Sequence, residues 1–269
     1  MIDIFSLFIK DIKNIFLFAF LLLFILFIGI TFTGCVDRCE KEVFRYYITE
    51  YSVSHEITLF SDYSNQDNLY EIRFLWNNNG IVSHTSKGKD LDAFKELAQK
   101  NGDISYNEVI ECSNLGPLPV RCYFSEPISQ IGITCDKDID PQHPAGTPFN
   151  DLFLFLTFSP DKFLKNGYKP LNIDTEKELA KVDNRFYTTV KNNVFKDFGT
   201  SSEMVYGTLS EIDFSRYKFL GIPGWGNRSC AEFSWIIPPV NVSNYTLTVE
   251  IEFVGGLKKM ASLTVGNEN

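Results

Sequence analysis

The sequence predicts a mainly β fold: an antiparallel β-sandwich, immunoglobulin-like or similar, with two or three helical insertions. Three observations point there. Tyr245 to Phe253 alternates apolar and polar residues without a break, as a half-buried strand does. Several shorter stretches alternate in the same way with turn residues between them, the pattern of a sandwich. Aromatic residues make up 15% of the 269-residue chain, and such rings favour pleated, half-buried surfaces.

Strands are expected at 43–53, 56–60, 70–76, 120–124 and 128–134. The apolar run over 152–158 reads as a strand buried on both faces, or equally as part of a core helix. A helix is expected over 90–100, capped by Asp90, with Leu91, Phe94, Leu97 and Ala98 on one face and Gly102 as its stop. Thr175-Glu176-Lys177-Glu178 has the form of a capping box. Phe186, Val190, Val194 and Phe198 recur every four residues before Gly199, as one face of a second helix does. Gly255-Gly256 is a two-residue hairpin signal, and 257–265 reads as the strand that returns after it. No repeat, low-complexity tract or clear linker interrupts this pattern.

Ahead of the domain, Ile15 to Phe32 is an 18-residue uncharged apolar run that ends at Phe32-Thr33-Gly34-Cys35. Lys10 and Lys13 precede it, diluted by Asp3 and Asp11. A positive front, an apolar middle and small residues before a cysteine predict a bacterial lipoprotein signal. Small side chains admit the peptidase, and the Cys35 thiol takes the diacylglycerol group. The expected organisation is a signal peptide over 1–34, a lipidated Cys35 with a short tether to 42, and one sandwich domain over 43–269. Two alternatives stand beside it: an uncleaved signal anchor, since about 20 apolar residues span a bilayer, and an ordinary cleaved signal. Several acyl chains on Cys35 would make the membrane a stable partner. The expected location is the cell envelope, at the outer membrane or cell surface rather than the inner membrane. The net charge of −9 argues against nucleic acid or an anionic membrane surface as partners.

Six cysteines are present: Cys35, Cys39, Cys112, Cys122, Cys135 and Cys230. Cys112 and Cys122 flank Gly116-Pro117-Leu118-Pro119 and form the first candidate disulfide, while Cys39–Cys230, other pairings and buried unpaired thiols stay open. No cysteine spacing matches a zinc site. Motifs for a nucleophile elbow, a phosphate loop or a zinc protease are missing, so no catalytic residue is assigned. His55, His84 and His143 fall in unrelated segments and read as surface or structural histidines. Asp136, Asp138 and Asp140 have a spacing that can serve Ca²⁺. Pro141 and Thr147, however, stand where an EF-hand requires Gly and Glu, so a solvated turn is expected. No metal and no cofactor is predicted.

Trp76, Trp225, Trp235, Tyr123 and Tyr206 are candidates for stacking on sugar rings, although aromatic residues of a β fold more often lie in the core. Trp225 leads because Gly221-Ile222-Pro223-Gly224-Trp225-Gly226 reads as a flexible loop that presents it. The sequons at Asn227, Asn241 and Asn244 read as chance beside a bacterial signal. No pair of carboxylates for glycoside hydrolysis is singled out.

Ile131-Gly132-Ile133-Thr134-Cys135-Asp136, followed by His143-Pro144-Ala145-Gly146-Thr147, resembles a box in uncharacterised Bacteroidetes-type cell-envelope lipoproteins. There a strand runs into an acidic turn, then Pro-Ala-Gly-Ser/Thr, then a short helical turn. The C-terminal stretch is similar too: Pro238-Pro239, a strand from Tyr245, a glycine turn and a last strand, with Gly255-Gly256 where those chains carry Asp-Gly. The resemblance implies an envelope lipoprotein and carries over no catalytic or ligand residue. From the residues themselves, Gly146 permits a tight turn and Thr147 is expected to cap a helix beginning at Pro148, an architectural role.

The expected function is a membrane-anchored envelope lipoprotein, non-catalytic, with a binding or structural role and an unknown protein or glycan as ligand. The alternatives are a carbohydrate-binding lipoprotein using exposed aromatics and an envelope hydrolase using paired carboxylates.

Overall fold

The computed structural model describes residues 41–61, 69–75, 80–111, 119–196, 198–225, 228–239 and 244–266, the side chains of 41–44, 109–111, 119, 192–194 and 225 excepted. The predicted signal, Cys35, Cys39, Trp76, Cys112, Asn227 and Asn241 lie outside the described residues. Two compact units divide the chain: 1–42 with 110–116, and 43–109 with 117–269. The second unit holds the sandwich.

In chain order the strands are β1 (Lys41–Phe44), β2 (Glu50–Ser52), β3 (Ile57–Ser61), β4 (Leu69–Phe74), β5 (Ile81–Ser83), β6 (Glu108–Glu111), β7 (Pro119–Val120) and β8 (Cys122–Phe124). They continue with β9 (Ile128–Cys135), β10 (Phe153–Ser159), β11 (Glu203–Thr208), β12 (Gly224–Trp225), β13 (Ser229–Trp235), β14 (Tyr245–Phe253) and β15 (Lys258–Val265). The helices are α1 (Lys89–Lys100), α2 (Asp161–Lys165), α3 (Thr175–Leu179) and α4 (Asn184–Thr188), the last continuing as a π-helical segment over Thr189–Phe195.

The fold is mainly β, as predicted. A five-stranded antiparallel sheet runs β11-β10-β13-β4-β3, and a three-stranded antiparallel sheet runs β15-β14-β9. Their inner faces supply one core. Ile72, Phe155 and Phe233 come from the first sheet, and Ile133, Val249 and Phe253 from the second, all buried. Each such side chain stabilises the fold by roughly 1.5–3 kcal/mol relative to an exposed one.

The larger sheet is buried on its outer face as well. Leu156 and Phe158 of β10 pack there against Val182, Phe186, Val190 and Phe198. This double burial is why 153–156 is continuously apolar and why the polar residues that follow, Thr157 and Ser159, are buried too, and it settles that run as a strand. A further small sheet runs β5-β2-β8, with β2 antiparallel to β5 and parallel to β8. Tyr51, Val82 and Tyr123 of that sheet share a core with Phe94 of α1 and Phe163 of α2.

Several predicted boundaries move, each for a local reason. The strand expected over 43–53 breaks between Phe44 and Glu50. The Tyr47 and Ile48 N–H groups donate to the Asp103 carboxylate at 2.8 and 2.7 Å, so a buried side chain replaces the strand partner. Burial pushes the Asp103 carboxyl upward, against the pull of these two amides and of the Tyr168 hydroxyl. The stretch 120–124 splits at Arg121. Its guanidinium lies over the Tyr47 and Tyr106 rings, at 4.6 and 5.1 Å, and bonds Glu108 at 3.2 Å.

Helix α1 is capped by Gly88 rather than Asp90, which sits with Asp92 in the first turn and complements the helix dipole. Gly102, at φ +72°, follows the helix end as expected. Asp174, one residue ahead of the expected box, caps α3 by accepting from the Lys177 N–H at 3.1 Å. Phe253 N–H donates to the Leu257 carbonyl at 2.9 Å, so the last hairpin has a three-residue loop rather than a two-residue one, with Gly256 at φ +80° as its left-handed position.

Candidate functional site

The acidic turn after β9 uses its carboxylates to hold itself. Asp136 accepts from the Thr246 N–H at 2.7 Å, Asp138 from the Ala145 N–H at 2.7 Å, and Asp140 from the Gln142 and His143 N–H groups at 2.7 and 3.0 Å. The His143 ring bridges Asp140 at 2.9 Å and Asp151 at 3.1 Å, and these two bonds raise its pKa. Among the described residues no group of three or more His, Cys, Asp or Glu side chains is placed to hold a metal ion. Gly146 takes φ +77°, as the tight turn needs. Thr147 does not cap a helix. Its hydroxyl donates to the Pro144 carbonyl at 2.7 Å, and the 3₁₀ turn begins only at Asn150.

Of the described aromatic candidates, two are in the core and Tyr206 is partly buried. Trp235 and Tyr123 are fully buried, and the Trp235 indole N–H donates to the Tyr245 hydroxyl at 3.1 Å. Tyr206 packs edge-on to Phe186, and its hydroxyl accepts from the Asp183 N–H at 3.1 Å. The segment expected to be a flexible loop is locked instead. Gly221 bridges Phe158, Ile222 bridges Ser229, and β12 pairs with β7. A Cβ on Gly221 would lie 2.8 Å from the Cys122 carbonyl oxygen, which accounts for that glycine. The Trp225 side chain lies outside the described residues. Of the candidate disulfide, Cys122 carries a free, buried thiol and Cys112 lies outside the described residues.

The structure also brings together two acids on the outer face of the five-stranded sheet. Glu232 of β13 stands directly opposite Glu71 of β4. Burial pushes the Glu232 carboxyl up to about 8. One of its oxygens accepts from the Thr189 hydroxyl at 2.8 Å, and the other has no hydrogen-bond partner among the described residues. Glu71 is held by the Arg73 Nε at 2.7 Å. Unequal environments of this kind would suit an acid–base pair, but the Glu232 carboxyl is enclosed rather than open to a substrate.

The outer face of β9–β14–β15 is different. Successive rows across it read Gln130–Glu252–Lys258, Gly132–Glu250–Met260 and Thr134–Thr248–Ser262. Lys258 Nζ bonds Glu250 at 2.8 Å and Glu252 at 3.2 Å, which raises the lysine pKa. Thr248 and Ser262 hydroxyls pair at 2.7 Å. Pro148 borders the face through its bridge to Thr134. Apart from Ser262, the residues of these rows and Pro148 line an open depression of about 210 Å³.

Gly132 contributes to that depression, because it carries no side chain between Gln130 and Thr134 on its own strand. Its φ lies outside the left-handed range, and a Cβ added there would meet no atom within 4 Å. Neither backbone nor packing demands glycine, which costs about 0.5–1 kcal/mol in a strand relative to alanine. A strand-interior glycine often marks a bulge, a tight bend or a place where a ligand or another backbone comes close, and the register is regular at Gly132. The alternation of 128–134 revealed the strand; only the pairing with Glu250 and Met260 revealed the gap.

Compared with protein-family models, with curated proteins and with solved structures, the chain matches none.

Proposed function

We propose that this chain is a membrane-anchored envelope lipoprotein, held by lipid on Cys35, with a binding role on the outer face of β9–β14–β15. Gly132 is the observation that carries the binding role: a residue that weakens its strand, is not required by the backbone, and leaves open space in the floor of the depression. The uncharged run from Ile15 to Phe32, followed by Gly34-Cys35, supports the anchor. The resemblance of the 131–147 box to envelope lipoproteins supports the same location.

The ligand chemistry that fits the depression is a short, neutral glycan. Met260 and Pro148 offer aliphatic surface for a sugar ring. Gln130, Thr134, Thr248 and Glu250 offer donors and acceptors for its hydroxyls. Glu250 and Glu252 are already balanced in part by Lys258, which disfavours a strongly charged ligand.

Two experiments test this reading. Lipid-probe labelling of the wild type and Cys35→Ala in the native host is expected to mark the wild type alone; label on neither removes the anchor. A glycan array with the full chain in detergent is expected to show binding that Gly132→Val abolishes. Binding unchanged by that substitution places the ligand elsewhere.

A further inference from the structure

A second site lies outside that face. Ser125 follows β8, and its hydroxyl is 3.1 Å from His55 Nε2. His55 stands between β2 and β3 at φ +57°, a left-handed conformation that glycine adopts freely and that histidine, asparagine and aspartate tolerate better than other side chains. Its ring is buried, stacked on Phe124 at 5.9 Å and edge-on to Phe253 at 4.6 Å. It also hydrogen-bonds the Val53 backbone. Ser125 is only half-buried, and its N–H donates to the Ser52 carbonyl at 3.0 Å, which fixes the residue that carries the hydroxyl.

The choice of histidine needs a reason. Glycine would adopt this φ without strain, and an apolar aromatic side chain would fill the space between Phe124 and Phe253 without burying two ring nitrogens. Histidine does neither as well. What it alone adds is a neutral imidazole nitrogen aimed at a hydroxyl, with its other side held by a backbone carbonyl. That is the arrangement by which a base activates a serine. Burial pushes the His55 pKa down, with Glu126 opposing and Lys259 reinforcing the shift, so the ring is neutral and able to accept a proton at pH 7.

We propose that Ser125 is a nucleophile for acyl esters, with His55 as its general base. The Ser125 oxygen bonds to the acyl carbon while its proton passes to His55 Nε2. The carbon–oxygen bond to the alcohol then breaks, and the alcohol leaves with the proton from Nε2. Water hydrolyses the acyl-serine by the same route and restores both groups.

A fluorophosphonate probe tests the step directly, because its phosphorus takes the serine oxygen and releases fluoride. The full chain in detergent is treated with probe, and modified serines are mapped by mass spectrometry. The expected result is label on Ser125 well ahead of exposed Ser129, none on Ser125→Ala at that position, and a rate at least about tenfold lower in His55→Asn, since a general base contributes about 10²–10⁴-fold. Asparagine tolerates the same φ, and a melting curve checks that the variant folds. The wild-type rate should also fall as pH drops through a midpoint below about 6.5, the ordinary histidine value. That profile decides the matter without any variant. Ser125 reacting no faster than Ser129, a folded His55→Asn that reacts at the wild-type rate, or a wild-type rate that shows no fall on the acid side down to the pH at which the fold is lost would each overturn the proposal.

Discussion

The outer face of the five-stranded sheet is roofed by the 175–200 segment, whereas the outer face of the three-stranded sheet meets water. The two strands that best represent them, β10 and β14, differ accordingly. β10 does not alternate, and carries apolar residues on both of its sides, because both are buried. β14 alternates strictly because only one is. Each face also holds a residue that departs from its surroundings. Glu232 puts a carboxyl under the roof, and Gly132 puts a gap in the bare face. A buried carboxyl and a missing side chain both cost stability, but by different routes: desolvation in the first case, and backbone entropy with lost packing in the second. Local exceptions of this kind are where function is to be sought.

The roof is the first place to break the contrast. Phe186 is fully buried against Leu156 and Phe158, so Phe186→Ala should cost about 3–5 kcal/mol in denaturant unfolding. Thr248→Ala on the bare face should stay within about 0.5 kcal/mol. Equal losses at the two sites would mean that the roof does not contribute to the stability of the sheet.

Glu232→Gln should stabilise. The carboxyl ionises near 4.5 in the unfolded chain and near 8 in the folded one. The folded protein therefore holds the extra proton between those values, and wild-type stability falls as pH rises from 4.5 to about 8. The gain from glutamine should grow over the same window by about 1.4 kcal/mol per pH unit. A gain independent of pH would show that Glu232 is not the titrating group.

Gly132→Val should raise stability by about 0.5–1 kcal/mol, since it restores a strand-favouring side chain in open space. Increased stability together with lost glycan binding is the outcome that separates a ligand site from a packing defect. A destabilised variant would mean that the glycine is structural after all.

The smallest effect belongs to His143. Its bonds to Asp140 and Asp151 raise its folded pKa. Its contribution to stability is therefore full below the unfolded value, near 6.5, and is lost as pH rises through the folded value. His143→Gln should flatten the dependence of Tm on pH above that point while leaving the acid side lower than wild type. An unchanged profile would remove the ring from the turn's support.

Much of the fold was legible because it depends on period alone. The 128–134 and 245–253 strands and the 90–100 helix each bury one face, and a face repeats with the strand or helix period. Boundaries failed where a distant side chain replaced the backbone partner. Asp103 reaches the amides of Tyr47 and Ile48, 56 and 55 residues away, and no local pattern announces such a bond. The candidate sites were less legible. Trp235 and Tyr123 look the same in sequence whether they stack on a sugar or on Phe153 and Phe219. His55 and Ser125 lie 70 residues apart and meet only because β2 and β8 pair.

By itself, the sequence determined the β class, the alternation that tells an inner face from an outer one, and the apolar run that predicts an envelope anchor. All three follow from short-range periodicity and composition, since side-chain direction repeats along the chain. The tertiary structure alone decided which acids are buried, which glycine opens a gap and which serine faces a histidine. Those properties depend on cross-strand register and on what covers a face, and both are set by residues far away in the chain.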